Sequence, residues 1–260
     1  LLHGMGMASS ANGFDRLIPH LAGRFRVLAP DLLGFGLGTR RVEAGPTFEL
    51  IVDQLREFMD RLGLDQAHLV GHSLGGWVGN LLAYESPDRV ERLVALCSAG
   101  LNVQPAAGIR ATAVPTRAQL EALVRGWLHD AGRVSGNDLD HLVDTLVAAA
   151  GAPGALESLA PLLAQMQMEN SSLRARYLLM RRLPFVTTPT LVIWGEHDPL
   201  EPYPVWKDEA PNLGGDMGRS IRPWAAPKAR FASLPTGHYP HWELPRETAA
   251  LIASFLLDHE

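Results

Sequence analysis

Residues 67–85 read AHLVGHSLGGWVGNLLAYE, and the hexad Gly71-His72-Ser73-Leu74-Gly75-Gly76 inside them decides the fold. Before it stands a short apolar run, 67–72, with the length of a buried strand; after it, Leu74 to Glu85 reads as a helix. A serine at so sharp a strand-to-helix turn must take strained backbone angles, and its flanking positions tolerate only small side chains. Gly71 and Gly75 meet that need, while Gly76 and Gly79 let the helix come close to the sheet. The turn lifts the hydroxyl off the sheet and aims the helix N-terminus at any developing anion. In a chain with 25 glycines the G-x-S-x-G pattern alone is weak. Its strand–turn–helix context gives it weight.

Working outward, strand and helix signals alternate. The runs 25–30 (FRVLAP), 90–97 (VERLVALC), 190–194 (TLVIW) and 229–234 (ARFASL) read as strands. Between Thr47 and Leu62, apolar residues recur at helical spacing from Phe48 to Met59, and Gly63 stops the helix. A last helix puts Thr248, Leu251, Ile252, Phe255 and Leu256 on one face. Strands separated by helices imply right-handed crossovers, hence an α/β fold with a mostly parallel sheet flanked by helices. Residues 100–183 break the rhythm, with no convincing strand and Pro/Gly punctuation, and read as an inserted helical cap. The core is then expected in two parts, 1–99 and 184–260. The stretch 208–228 reads as an unusually long loop. The opening Leu1-Leu2-His3-Gly4 resembles the last step of a buried strand, so upstream strands are expected to be missing.

A serine hydroxyl is a poor nucleophile without a base and a partner that orients the base. Two strand ends supply candidates. The run 190–194 leads into Gly195-Glu196-His197-Asp198-Pro199, and 229–234 leads into Pro235-Thr236-Gly237-His238. Sites in parallel sheets lie beyond the carboxyl ends of the strands, so Ser73, Asp198 and His238 are expected at one edge. Glu196 competes with Asp198, which as a plain turn former would need no catalytic role. His241 competes with His238 and fits better as packing before the last helix. The fourth element is His3-Gly4-Met5-Gly6, where the amide of Met5, with that of Leu74 after the serine, would bind an oxyanion. As a plain Gly-rich turn it would bind nothing.

With these motifs in place the chain resembles the α/β-hydrolase fold family. LLHGMG is similar to the strand end that carries the oxyanion hole and GHSLGG to the nucleophile elbow. LVIWGEHDPL is similar to the acid turn and GHYPHWELP to the histidine loop. The resemblance implies a serine hydrolase with Ser73 as nucleophile, Asp198 as acid and His238 as base, needing no metal or organic cofactor. Two departures stand out: the usual first hairpin and strand are absent, and 40 residues separate Asp198 from His238, some ten more than usual.

The implied substrate is a small-to-medium carboxylic ester, with a C–C (meta-cleavage-product type) or lactone hydrolase as the alternative; HGMGM and GHSLGG read as not favouring C–C cleavage. A non-catalytic, receptor-like member of the fold is the reading from another class. Leu123, Trp127, Leu142, Leu146, Met166 and Met168 would suit an acyl or aryl group, or simply form the core of the cap. The Asp138, Asp140 and His141 group reads as a solvated helix face rather than a metal site.

Composition narrows the partners to small molecules. Twenty-three Lys+Arg against 28 Asp+Glu give a net charge of −5, without the basic excess of a nucleic-acid binder. No apolar run reaches the ~20 residues of a membrane span. The single cysteine leaves no internal disulfide, and a cytoplasmic location is expected. Nothing in the sequence fixes the oligomeric state.

Overall fold

The computed structural model describes residues 1–5, 9–36, 38, 45–100, 113–167, 176–179, 182–200 and 229–258. Four strands, β1 (Ala67–His72), β2 (Val90–Leu96), β3 (Thr190–Gly195) and β4 (Ala229–Leu234), form an all-parallel sheet in the order β1-β2-β3-β4. The helices are α1 (Ile18–Leu21), α2 (Phe48–Arg61), α3 (Leu74–Glu85), α4 (Arg117–Trp127), α5 (Gly136–Ala150), α6 (Ala155–Gln167), α7 (Pro240–Glu243) and α8 (Pro245–Leu256). The alternation read from the sequence is therefore the architecture. His72 is level with Leu96, Leu96 with Ile193, and Gly195 with Leu234, so the carboxyl ends of all four strands finish along one edge.

Helices cover both faces, which is why the strands read as continuous apolar runs rather than alternating ones. On one face α2 and α3 bring Ile51, Leu55, Val78 and Leu82 onto Leu93. On the other, α1 and α8 bring Leu21, Ile252 and Phe255 onto Val94 and Ile193. The helix starts are those the sequence marks. Thr47 Oγ1 accepts from the Leu50 amide at 3.3 Å, and Thr116 with Gln119 closes a reciprocal capping box on α4.

One expected strand does not form. Residues 25–30 pair in no ladder. A strand needs a neighbour for its backbone groups, and among the described residues the chain start beside this run contributes a single hydrogen bond, from the Leu1 amino group to the Leu28 carbonyl at 2.6 Å. Leu2 does behave as a strand end. It bridges Gly71 in parallel, its amide donating to Val70 and its carbonyl accepting from His72, at 2.8 and 2.9 Å. The loop expected over 208–228 lies outside the described residues.

Between β2 and β3, the described part of 100–183 carries α4, α5 and α6 and no strand. Leu120, Val124, Leu139, Leu142 and Val143 pack into a separate apolar cluster, joined by Trp242 of α7. Leu142 is thus core of the insertion, and Leu123 is exposed. Met168 and the side chain of Met166 lie outside the described residues.

Glycine at 75 is dictated by approach. A Cβ there would lie 2.0 Å from the Leu2 carbonyl oxygen and 2.7 Å from that of His3, both backbone atoms that cannot swing aside. Gly75→Ala is expected to destabilise the fold by about 1–3 kcal/mol or more. Gly126→Ala, on an exposed turn of α4 where nothing lies within 4 Å, should be neutral or stabilising by up to ~1 kcal/mol. Urea unfolding midpoints of the two variants check the contrast.

Candidate active site

Ser73 sits between β1 and α3 with φ 51° and ψ −115°, a left-handed conformation that a non-glycine residue holds only when its surroundings force it. The forcing contacts are backbone ones. The Ser73 amide donates to Leu96 at 3.0 Å, and its carbonyl accepts from Trp77 at 3.1 Å and from Ala99 at 3.0 Å. A Cβ on Gly71 would meet the Gly75 carbonyl oxygen at 2.3 Å, so the turn closes only around glycines. Ser73 is half-buried while the residues flanking it are buried.

The Gly-rich start of the chain presses against this turn. A Cβ on Gly4 would lie 3.2 Å from the Ser73 Cβ and 2.9 Å from His72 Nδ1. Met5 follows at once, partly buried against the core. Leu74 is the first residue of α3, where an amide has no intrahelical acceptor. Both expected oxyanion donors therefore belong to segments that meet at Ser73.

The acid and the imidazole come together although 40 residues separate them. His238 Nδ1 donates to Asp198 Oδ2 at 2.7 Å, with both side chains almost wholly buried. Asp198 Oδ1 also accepts from the Leu200 amide at 2.9 Å, so the residue is turn former and imidazole partner at once. Of the competitors, Glu196 accepts from the Ser233 hydroxyl on the exposed side of the turn. His241 packs between Phe14 and His72, ring centroids 5.2 and 4.5 Å away. Burial and the neighbouring His238 push the His241 pKa down to about 3. It is a neutral core histidine, as its place before α8 implied.

His72 ties the serine turn to the imidazole. Its Nε2 donates to the His238 carbonyl at 2.8 Å, and its ring lies 4.7 Å from that of His238. Burial first, then His241 and His238, hold the His72 pKa well below the ordinary range. His3, beneath Gly4, is lowered to about 4 by burial. Its ring fits only the neutral form, since Nδ1 donates to Gly4 at 2.8 Å and Nε2 accepts from the Leu32 amide at 2.9 Å.

Two residues at this edge were not legible as site components. Cys97, fully buried at the end of β2 with φ 42°, accepts from the Gly195 amide at 3.3 Å. Its Sγ and the donor atoms of Asp198 and His238 lie within 4.8 Å of one another, close enough to share a metal ion. Each already has a partner: the imidazole proton rests on Asp198, and the Gly195 amide rests on the sulfur. Glu243, at the end of α7, accepts from the Gly237 amide of the histidine loop and from the His129 amide just past α4. Asp138 and Asp140 are spent on ion pairs with Arg16 and Arg117, and His141 Nε2 meets Asp15 Oδ2 at 3.0 Å.

Comparison with known proteins identifies the family. The family model of the alpha/beta hydrolase fold matches residues 1–245. The chain is 30% identical to the 2-hydroxymuconate semialdehyde hydrolase of Pseudomonas sp. (strain CF600), over 99% of this chain and 86% of that one. Among solved structures it resembles a meta-cleavage product hydrolase from Pseudomonas fluorescens IP01, with a TM-score of 0.77 at 23% identity over 98% of this chain and 88% of that one. It also resembles the enol-lactonase of Burkholderia xenovorans LB400, with a TM-score of 0.74 at 19% identity over 99% and 90%. No single helix among the described residues is long and apolar enough to cross a membrane. With the elbow, the paired acid and imidazole, and a family match over nearly its whole length, the chain belongs to the α/β-hydrolase fold family.

Proposed function

We propose that this protein is a serine hydrolase that cleaves the C–C bond of a vinylogous diketo acid of the 2-hydroxymuconate semialdehyde class. Ser73 is the nucleophile, His238 the general base, Asp198 the orienting acid, and the Met5 and Leu74 amides the oxyanion donors. The hydrolase chemistry is supported by a strained, half-buried serine on the same sheet edge as a buried carboxylate–imidazole pair. One observation carries the choice of bond: 30% identity to a 2-hydroxymuconate semialdehyde hydrolase across 99% of the chain. That relation outweighs the motif argument, under which HGMGM and GHSLGG did not favour C–C cleavage, because it draws on the whole chain and not on a few residues around the serine.

The roles follow from the chemistry. Ser73 Oγ adds to the carbonyl carbon as His238 Nε2 takes its proton, and the new alkoxide turns toward the Met5 and Leu74 amides. Collapse of the adduct breaks the C–C bond. Its electron pair leaves as an enolate delocalised over the 2-oxo acid, and the imidazolium returns the proton there. Water, deprotonated by His238, then releases the acyl group from Ser73. Asp198 keeps the proton on Nδ1 so that Nε2 faces the reaction, and stabilises the imidazolium. The inserted helices α4 to α6 serve as the roof of the site, with Trp127 standing 6.0 Å from the His238 ring.

The test sets two substrates side by side. With 2-hydroxymuconate semialdehyde, followed by loss of its visible absorbance, kcat/KM should exceed that for the best p-nitrophenyl ester, acetyl to decanoyl, by at least roughly 10²-fold. A preference for the esters would return the protein to the carboxylesterases.

A further inference from the structure

Glu243 is a buried carboxylate, 3% exposed, that faces three backbone amides. Oε1 accepts from Gly237 at 2.7 Å and from His129 at 3.2 Å, and Oε2 accepts from Asp130 at 2.8 Å. A carboxyl group this deep has lost its water, and the converging amides replace those hydrogen bonds. Two of the three donors come from the exit of α4 and the third from the residue before His238.

The same two segments are joined at further points. The His238 amide donates to the Trp127 carbonyl at 2.8 Å, and Arg133 donates to the Pro235 carbonyl at 2.9 Å. A Cβ on Gly237 would stand 2.3 Å from the Trp127 carbonyl oxygen, so the loop meets the helix exit backbone to backbone. On the acid side, the His129 ring stacks on His197, centroids 3.6 Å apart and planes 16° from parallel, next to Asp198. Residues 127–133 thus brace both the loop that carries the imidazole and the turn that carries its partner.

We infer that Glu243 is a positioning residue: its carboxylate clasps the exit of α4 onto the histidine loop and so fixes where His238 stands against Asp198. The inference rests on His238 being the general base. The insertion and the base then move as one unit at this end, and α4 cannot lift away from its exit without releasing the amides on both sides of Glu243. Glutamine does not replace it. One acceptor oxygen becomes an NH₂ group that would point at backbone N–H donors. A misplacement of the base by about 1 Å can cost roughly 10²-fold in rate.

Glu243→Gln and Glu243→Asp test this, with amide hydrogen exchange followed in the segments 127–133 and 235–243 and steady-state kinetics taken across pH. The expected result is faster exchange in both segments together, kcat lowered by about 10–100-fold with KM little changed, and partial recovery in the aspartate variant. If the glutamine variant fails to fold, the aspartate variant carries the same reading, with smaller changes in the same direction. Unchanged exchange would overturn the clasp. Faster exchange with kcat and the pH profile intact would overturn the positioning role. Full turnover in a Ser73→Ala variant would sink the catalytic reading itself, a failure separate from the exchange result.

Discussion

Ser73→Ala should lower kcat by about 10⁴–10⁶ while leaving the unfolding midpoint where it was. The two halves of this expectation have different origins. The rate falls because alanine abolishes the covalent route, leaving only substrate binding and the oxyanion donors, a residual worth about 10³–10⁴ over the uncatalysed reaction. Stability holds because the hydrogen bonds that pin the elbow use the amide and carbonyl of residue 73, which alanine keeps. The positive φ of 51° strains alanine as it strains serine, so no new cost arises. Single-turnover assays with the preferred substrate, beside urea melts of both proteins, check both halves. Activity above a tenth of wild type would remove Ser73 from the mechanism. A glycine at this position separates the two effects further, since it should lose the same rate and gain stability by shedding the strain.

The part of this site that could be read from the sequence is the part fixed by strand ends. Asp198 and His238 are legible because each lies a few residues past an apolar run, and parallel strands deliver the residues beyond their carboxyl ends to one edge. The elbow is legible because its glycines have no alternative: the Gly71 and Gly75 contacts in the structure are with backbone atoms. The illegible part depends on distances between remote segments. Glu243 is one acid among 28 Asp+Glu, and only the approach of residues 129 and 130 to the histidine loop gives it three donors. Its one local signal is an acid set in the apolar run from Tyr239 to Leu244. The strand expected at 25–30 failed for a related reason, since a strand is a property of two neighbours and the run offers only one side of the ladder. The choice between ester and C–C cleavage is not legible there, because the same serine, base and acid would serve either bond, so the elbow and oxyanion motifs do not encode it.

The fold should lose stability steeply as pH falls below about 6.5, because three buried imidazoles must stay neutral in it. Burial lowers His3 to about 4 and His241 to about 3, and holds His72 well below the usual range. The groups facing them add little relief. His72 looks onto His238, His241 and Tyr239, His241 onto His238 and Phe14, and His3 onto Phe35 with Asp31 further off. Each of these bases has a folded pKa below its ordinary value of 6.5. Between the two values the unfolded chain binds a proton that the folded one refuses, so stability rises with pH there and is lost as pH falls. Each imidazole contributes about 1.4 kcal/mol per pH unit across the interval between its unfolded and folded values, so below about pH 6 the three slopes add. Against a typical stability of about 5–15 kcal/mol, a slope of this kind sustained over about two pH units removes a large fraction of the whole. Urea midpoints measured from about pH 7.5 to about 4.5 should fall continuously, and a flat profile across that range would mean that the three histidines tolerate protonation in place. A His241→Phe variant tells this origin from general acid effects. Nδ1 of His241 has no hydrogen-bond partner, its ring already lies against Phe14, and the Gly13 carbonyl it bonds keeps the Trp242 indole as a donor, so the exchange gives up one hydrogen bond, keeps the packing and removes one titrating group. Its slope with pH should drop by about a third.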